Sequence, residues 1–178
     1  MYSSNDIIDL IRSNIDSFVS SGKPIGQDIN TLQIHEDELK NLITQLCYYN
    51  YSNWQHENNA RSSDDAVSLK GYRSTVGSNH NRNKTIEKID ELNLEIQNID
   101  ANDILPTTLG IILDAITILY LKLTYVKELK DKVREDQILH QIKEMSLGLT
   151  QSLKKVFDDR ASRFLRLDKI KVYNGNVI

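Results

Sequence analysis

The stretch Gly110 to Leu121, GIILDAITILYL, most constrains how this chain can fold. Its apolar residues cover nearly the whole circumference of a helix, so neighbouring elements must enclose it on every side. Thr107 or Thr108 can cap its start, and the pattern carries it to about Lys132. The apolar run from Leu109 to Leu123 is broken by Asp114 and reads as too short to span a bilayer. The expectation is therefore the central helix of a packed bundle.

Four further segments supply faces to cover it. From about Ser4 to Ser21, Ile7, Ile8, Ile11, Ile15, Phe18 and Val19 recur at three and four residues and draw one stripe. Gly22 and Pro24 end that helix, and Lys23 to Ile34 reads as a connector. A second helix begins near Glu36, carries Leu39, Leu42, Ile43, Leu46 and Cys47 on one face, and runs to Arg61. Ser62-Ser63-Asp64-Asp65 marks a break and a new N-cap. The third segment, about Asp65 to Asp100, is polar. Its Gly71 and Gly77 predict a kink or disorder near 71–78, since each costs roughly 1 kcal/mol against alanine in a helix interior. Helical periodicity firms from Asn79 to Ile99 through Ile86, Ile89, Leu92 and Ile96. Ala101 to Pro106 reads as a turn. The last segment, about Arg134 to Asp159, aligns Ile138, Ile142, Met145, Leu149, Leu153 and Val156. The reading is one all-α domain over residues 1–178, an antiparallel bundle of about five helices with at least one longer crossover. Residues 1–35 form its N-terminal helix and connector, and 160–178 a basic tail that includes a second short helical piece.

Charge and cysteine content narrow the function classes. A formal charge of −3 creates no strong global field for nucleic acid or anionic lipid. Five bases, Arg160, Arg163, Arg166, Lys169 and Lys171, lie near Tyr173, but a solvated C-terminal face accounts for them better than a nucleic-acid surface. Cys47 is the sole cysteine and sits in an apolar stretch, so it reads as a core residue. The opening MYSSNDIIDL has acids where a secretion signal needs bases, so a cytoplasmic setting without membrane association is expected.

Polar residues at helical spacing suggest a site. Trp54, Glu57 and Arg61 share one face of the second segment. Asn79, Arg82, Asn83, Glu87 and Asp90 share a face of the third. Asp114 and Thr117 lie one turn apart on the apolar helix, with Lys122 two turns beyond Asp114. A carboxylate there needs a partner, and Arg61 or Arg82 is the natural candidate. The three faces would then form a structural ion-pair network or a pocket for a small anionic molecule. In the pocket reading the arginines hold the anionic group and the asparagines orient it.

Two other classes stay open. Glu87 and Asp90 form an ExxD pair that, with Glu57 and Asp114, could hold Mg²⁺ for a nucleotide or phosphate-ester hydrolase; no other cofactor is implied. His56-Glu57 opens like a zincin motif but lacks its second histidine, so zinc is not expected. Tyr48, Tyr49, Tyr51 and Trp54 surround the helix more fully than one core face requires. That suggests a homodimer through the second and third segments, or another protein partner.

The run NWQHENNAR, then NHNRNKTIEKID, then TTLGIILDAITILYLKL and the closing KVYN resembles the domain-of-unknown-function 4254 family. Trp54, Glu57, Ala60 and Arg61 match its first motif, and Asn79, Arg82, Asn83, Glu87 and Asp90 its second. Gly110 to Leu119 matches its third, with Thr117 for Ser. The chain departs at Asn58 for a second acid, Ala115 for an arginine, and Thr75-Val76 for an Ile-Asp pair. The resemblance implies an α-helical fold and a bacterial cytoplasmic protein, with some members near glycan-assembly genes. It brings no established activity.

Overall fold

The computed structural model describes residues 3–21, 37–97, 108–153, 172–173 and 176–177. Five helices dominate: α1 (Ser4–Ser21), α2 (Glu38–Ala60), α3 (Asp65–Gln97), α4 (Leu109–Glu128) and α5 (Lys132–Leu153). Two short strands, β1 (Val172–Tyr173) and β2 (Asn176–Val177), pair antiparallel. The connector at 23–34, the turn at 101–106, Val156, and the basic strip Arg160 to Lys171 with its short helical piece lie outside the described residues.

Local chemistry sets the ends of the helices. Asp37 caps α2 by accepting from the Lys40 N–H at 3.1 Å, and Thr108 caps α4. Asp64 accepts from the Ala66 and Val67 N–H groups at 2.9 and 3.0 Å, satisfying donors that the first turn of α3 leaves free. Between α4 and α5, Lys130 adopts a left-handed φ of 57°, and the Asp131 carboxylate accepts from Arg134 N–H at 3.1 Å. The chain thus reverses in three residues. The fourth helix accordingly stops at Glu128 and the fifth starts at Lys132, each a few residues earlier than the periodicity predicts.

The arrangement is an all-α bundle around α4, which packs against α1, α2, α3 and α5. Leu113 and Ile116 are fully buried at its middle, with Ile11, Ile15, Leu46, Ile89, Ile138 and Leu149 arriving from the surrounding helices. At 20 residues α4 is long and apolar enough, by length and composition, to cross a bilayer, because the pattern continues past Leu123 to Val126. The expectation that it was too short is corrected. Most of its surface is nonetheless buried inside the bundle.

Contacts fix the directions of the helices. Asn14 bonds Thr44 at 3.2 Å and Phe18 packs on Tyr48 and Tyr51, so α1 and α2 run parallel. The helices α2 and α3 form an antiparallel hairpin, and α4 runs antiparallel to α3. Thr150 of α5 bonds Ser4 of α1 at 2.8 Å, bringing the end of one beside the start of the other.

The third helix is continuous through residues 71–78, where a kink or disorder was expected. At Gly71 the backbone of α3 comes close to that of α2. A Cβ there would lie 2.4 Å from the Ala60 nitrogen and 2.8 Å from the His56 carbonyl oxygen. The glycine is thus spent on helix approach, and packing overrides its weak helix propensity.

Candidate functional site

Asp114 faces the partner problem that its sequence context predicts. A carboxylate buried on α4 is costly unless charged and polar groups meet it. Arg82 of α3 does so with two nitrogens, Nε to Oδ1 at 2.7 Å and a terminal nitrogen to Oδ2. Asn50 of α2 donates its Nδ2 to the same carboxylate at 2.9 Å. This fork-on-carboxylate geometry holds the Arg82 proton more tightly than usual; the hydrogen bond to Asp114 is the main cause and the Glu57 field adds to it. The pair is largely enclosed, with Arg82 and Asp114 side chains 23% and 11% exposed.

The network continues across α3 into α2. Asn79 Oδ1 accepts from Asn53 Nδ2 at 2.7 Å and, at 3.5 Å, from Arg82. The Asn53 carbonyl oxygen in turn accepts from the Ser78 hydroxyl. Five side chains therefore form one chain of hydrogen bonds from Asp114 through Arg82, Asn79 and Asn53 to Ser78, tying α2, α3 and α4 together.

The other expected site residues sit elsewhere. Arg61 reaches its own Glu57, one turn back, through the backbone carbonyl at 2.7 Å and the carboxylate at 3.7 Å, in a half-exposed position. It does not meet Asp114. Asn83 and Glu87 face solvent. Asp90, three residues from Glu87, turns inward and accepts the Gly110 N–H at 2.6 Å at the start of α4. Burial raises its carboxyl above the usual range, partly offset by hydrogen bonds from Gly110 and Thr108. The ExxD pair is thus split between solvent and a helix N-terminus. Among the described residues no three His, Cys, Asp or Glu side chains gather into a possible metal site, so Glu57, Glu87 and Asp90 do not converge.

Trp54 stacks on Tyr125 of α4, with centroids 4.7 Å apart and planes 12° apart. Tyr51 is buried against Phe18, while Tyr48 and Tyr49 are half-buried. Tyr51 and Trp54 are therefore internal packing, covered by α1 and α4, whereas Tyr48 and Tyr49 keep part of their surface. Cys47 is fully buried, and burial pushes its thiol up to about 12, which leaves no thiolate for nucleophilic attack near neutral pH.

A groove of about 920 Å³ opens on the α2–α3 hairpin. Tyr48, Tyr49, Ser52, Gln55, His56, Asn58 and Asn59 line it from α2, with Val67, Lys70, Gly71, Ser74, Ser78 and Asn81 from α3. None of the nine residues expected to form the site lines it. Two of its side-chain oxygens, Gln55 Oε1 and Asn58 Oδ1, are buried without a hydrogen-bond partner. Burial holds the His56 imidazole below its ordinary value, so it is neutral at physiological pH. A legible signal existed: 67, 71, 74, 78 and 81 repeat at three and four residues, and all but Val67 are small or polar. Ser78 is the hinge between regions, since its hydroxyl ends the Asp114 network and also lines the groove.

Comparison with known proteins adds a family but no activity. No curated protein and no solved structure matches the chain. Residues 40–163, from α2 to beyond α5, match the family described as Protein of unknown function (DUF4254), and both the Asp114 network and the groove lie within that span. The chain belongs to the DUF4254 family.

Proposed function

We propose that this protein is a cytoplasmic binding or accessory protein whose α2–α3 groove takes a small molecule bearing hydroxyl or amino donors and one anionic group. The observation that carries this reading is the pair of buried, partnerless amide oxygens, Gln55 Oε1 and Asn58 Oδ1, on two residues that line the groove. A buried acceptor left unmade costs about 1–3 kcal/mol, and a turn of either amide toward the groove lets a ligand O–H or N–H recover it. Lys70 supplies a cation for the anionic group. Tyr48 and Tyr49, edge to face at 5.5 Å, offer apolar surface for a ring or carbon skeleton. Neutral His56 adds a directional hydrogen bond without a second charge.

The Arg82–Asp114 network supports the site from behind. It holds the Ser78 hydroxyl toward Asn53, leaving that oxygen as a further acceptor toward the groove. Arg82 itself is committed to Asp114, so the anion falls to Lys70 in this reading.

Thermal shift of the purified protein against hexose phosphates, nucleoside monophosphates and nucleotide sugars tests the proposal. A ligand at a hundred times its Kd stabilises by about 2.7 kcal/mol, or roughly 5–10 °C for a chain of this size. Asn58→Leu and Lys70→Ala are expected to remove the shift, and Asn83→Ala to keep it. A shift that survives both groove variants, or a panel without any shift, overturns the groove as the binding site for this class.

A further inference from the structure

Residues 65–77 of α3 form the stretch that pairs with the end of α2. Their described contacts run to α2, through the Ser68 hydroxyl to the Ala60 carbonyl at 2.8 Å and through the close crossing at Gly71. The opposite face of this stretch is exposed and partly apolar: Leu69 is 51%, Tyr72 67% and Val76 62% exposed. Spaced by three and four residues, they form one stripe, on the side of α3 away from the groove. Large apolar side chains clustered in this way on a surface mark an interaction site more often than singly scattered ones do.

The order of residues along the stripe indicates the partner. Asp65, Leu69, Tyr72, Arg73, Val76 and His80 are all exposed, and the steps between them are four, three, one, three and four. That spacing is palindromic about the midpoint of Tyr72 and Arg73. Two such helices laid antiparallel across a two-fold axis would place Leu69 on the partner's Val76. Tyr72 would meet the partner's Arg73, and Asp65 the partner's His80. Each match is favourable: apolar on apolar, guanidinium over an aromatic ring, and carboxylate against imidazole. An interface that repeats the same patch on both copies is the ordinary form of a two-fold dimer. Gly77 borders the stripe with open space where its Cβ would lie, so nothing among the described residues requires a glycine there.

We infer that this outer face of α3 pairs with the same face of a second copy of the chain, as two antiparallel helices related by a two-fold axis between Tyr72 and Arg73. The pairing leaves the groove open, since Lys70, Ser74 and Ser78 point to the other side of α3. It stands independently of any ligand. One helix pair lies at the small end of specific interfaces, so dissociation on the order of 10 µM is expected.

Sedimentation velocity on the full chain, from about 1 µM to about 1 mM, reads the association directly. A monomer–dimer transition is expected in the wild type. Val76→Glu is expected to weaken it by at least about a hundredfold while the melting temperature of the monomer stays put. The register has its own test. Asp65→His alone should weaken the dimer, and adding His80→Asp should restore it by exchanging the pair. A monomer throughout, or a dimer indifferent to Val76→Glu, overturns the interface. A double exchange no better than the single change overturns the antiparallel register.

Discussion

The two ends of α3 solve opposite problems with similar residues. Its C-terminal half lies against α4, and there the charged groups that go inward are met: Arg82 by Asp114 and Asp90 by the start of α4. Its N-terminal half lies against α2 and borders a groove lined by Gln55 and Asn58, whose side-chain oxygens are buried without partners. Closed polar networks order a fold, whereas open polar walls are what a ligand can complete. Side-chain type does not separate the two regions, for both are rich in Asn and Ser. Satisfaction does.

The sharpest way to break this contrast is to cut the closed end. Arg82→Ala leaves the Asp114 carboxylate buried with only Asn50 to meet it. Removing one partner of a buried pair costs about 3–5 kcal/mol. Because the Arg82 side chain is 23% exposed, the lower value, about 3 kcal/mol, is expected. That corresponds to a fall in melting temperature of roughly 6–12 °C. Urea unfolding also separates network from hydrophobic fill: the double change Arg82→Met with Asp114→Leu should recover most of the loss, since neither charge is left behind. A loss under about 1 kcal/mol for Arg82→Ala would mean that water already meets Asp114, and the two regions would no longer differ in kind.

The open end should answer in the opposite direction. Asn58→Leu removes a buried acceptor that nothing satisfies and replaces it with apolar volume. Stability is expected to rise by about 1 kcal/mol, while ligand-induced thermal shift is lost. Stabilisation purchased with function is what a binding residue shows. Were Asn58→Leu to destabilise by a similar amount, its oxygen would have a partner in solution, and the groove would join the closed class.

Much of this was legible in the sequence. Asp114 inside GIILDAITILYL demanded a cation, and Arg82 stood at the right place on a neighbouring helix. Helix existence followed from the three-and-four spacing of Ile7, Ile11 and Ile15, or of Ile138, Ile142 and Leu149. Three things were not legible, each for a physical reason. Spacing along one helix reports which residues share a face but not which helix that face meets, so Arg61 looked as suitable as Arg82 for Asp114. It also led Asn83 and Glu87 to be grouped with Arg82, although one residue, 100° around the helix, is enough to turn Asn83 to solvent. Gly71 read as a break because its propensity was visible and the Ala60 backbone against it was not. The groove escaped because a cavity belongs to two helices jointly; Ser74 and Ser78 look like ordinary solvated positions until α2 is placed beside them.

The smallest effect tests a boundary within the closed end. Asp90 meets the start of α4, where the helix dipole favours an anion, yet burial is the larger influence and raises its carboxyl above the ordinary 3.8. A raised folded-state value means that the folded protein holds this proton more tightly than the unfolded chain does. The stabilising contribution is therefore complete below about pH 4 and is lost as pH rises through the folded value. Asp90→Asn keeps an oxygen for the Gly110 N–H and does not titrate. Denaturant midpoints from pH 3 to pH 7 should then show the variant gaining on the wild type as pH rises, by well under about 1 kcal/mol, because a half-exposed charge is screened. A variant that instead loses ground as pH rises would place the helix dipole above burial. Asp90 would then act as a charged cap of α4, on the same footing as Thr108, and the closed end would be held together by charge at two points rather than one.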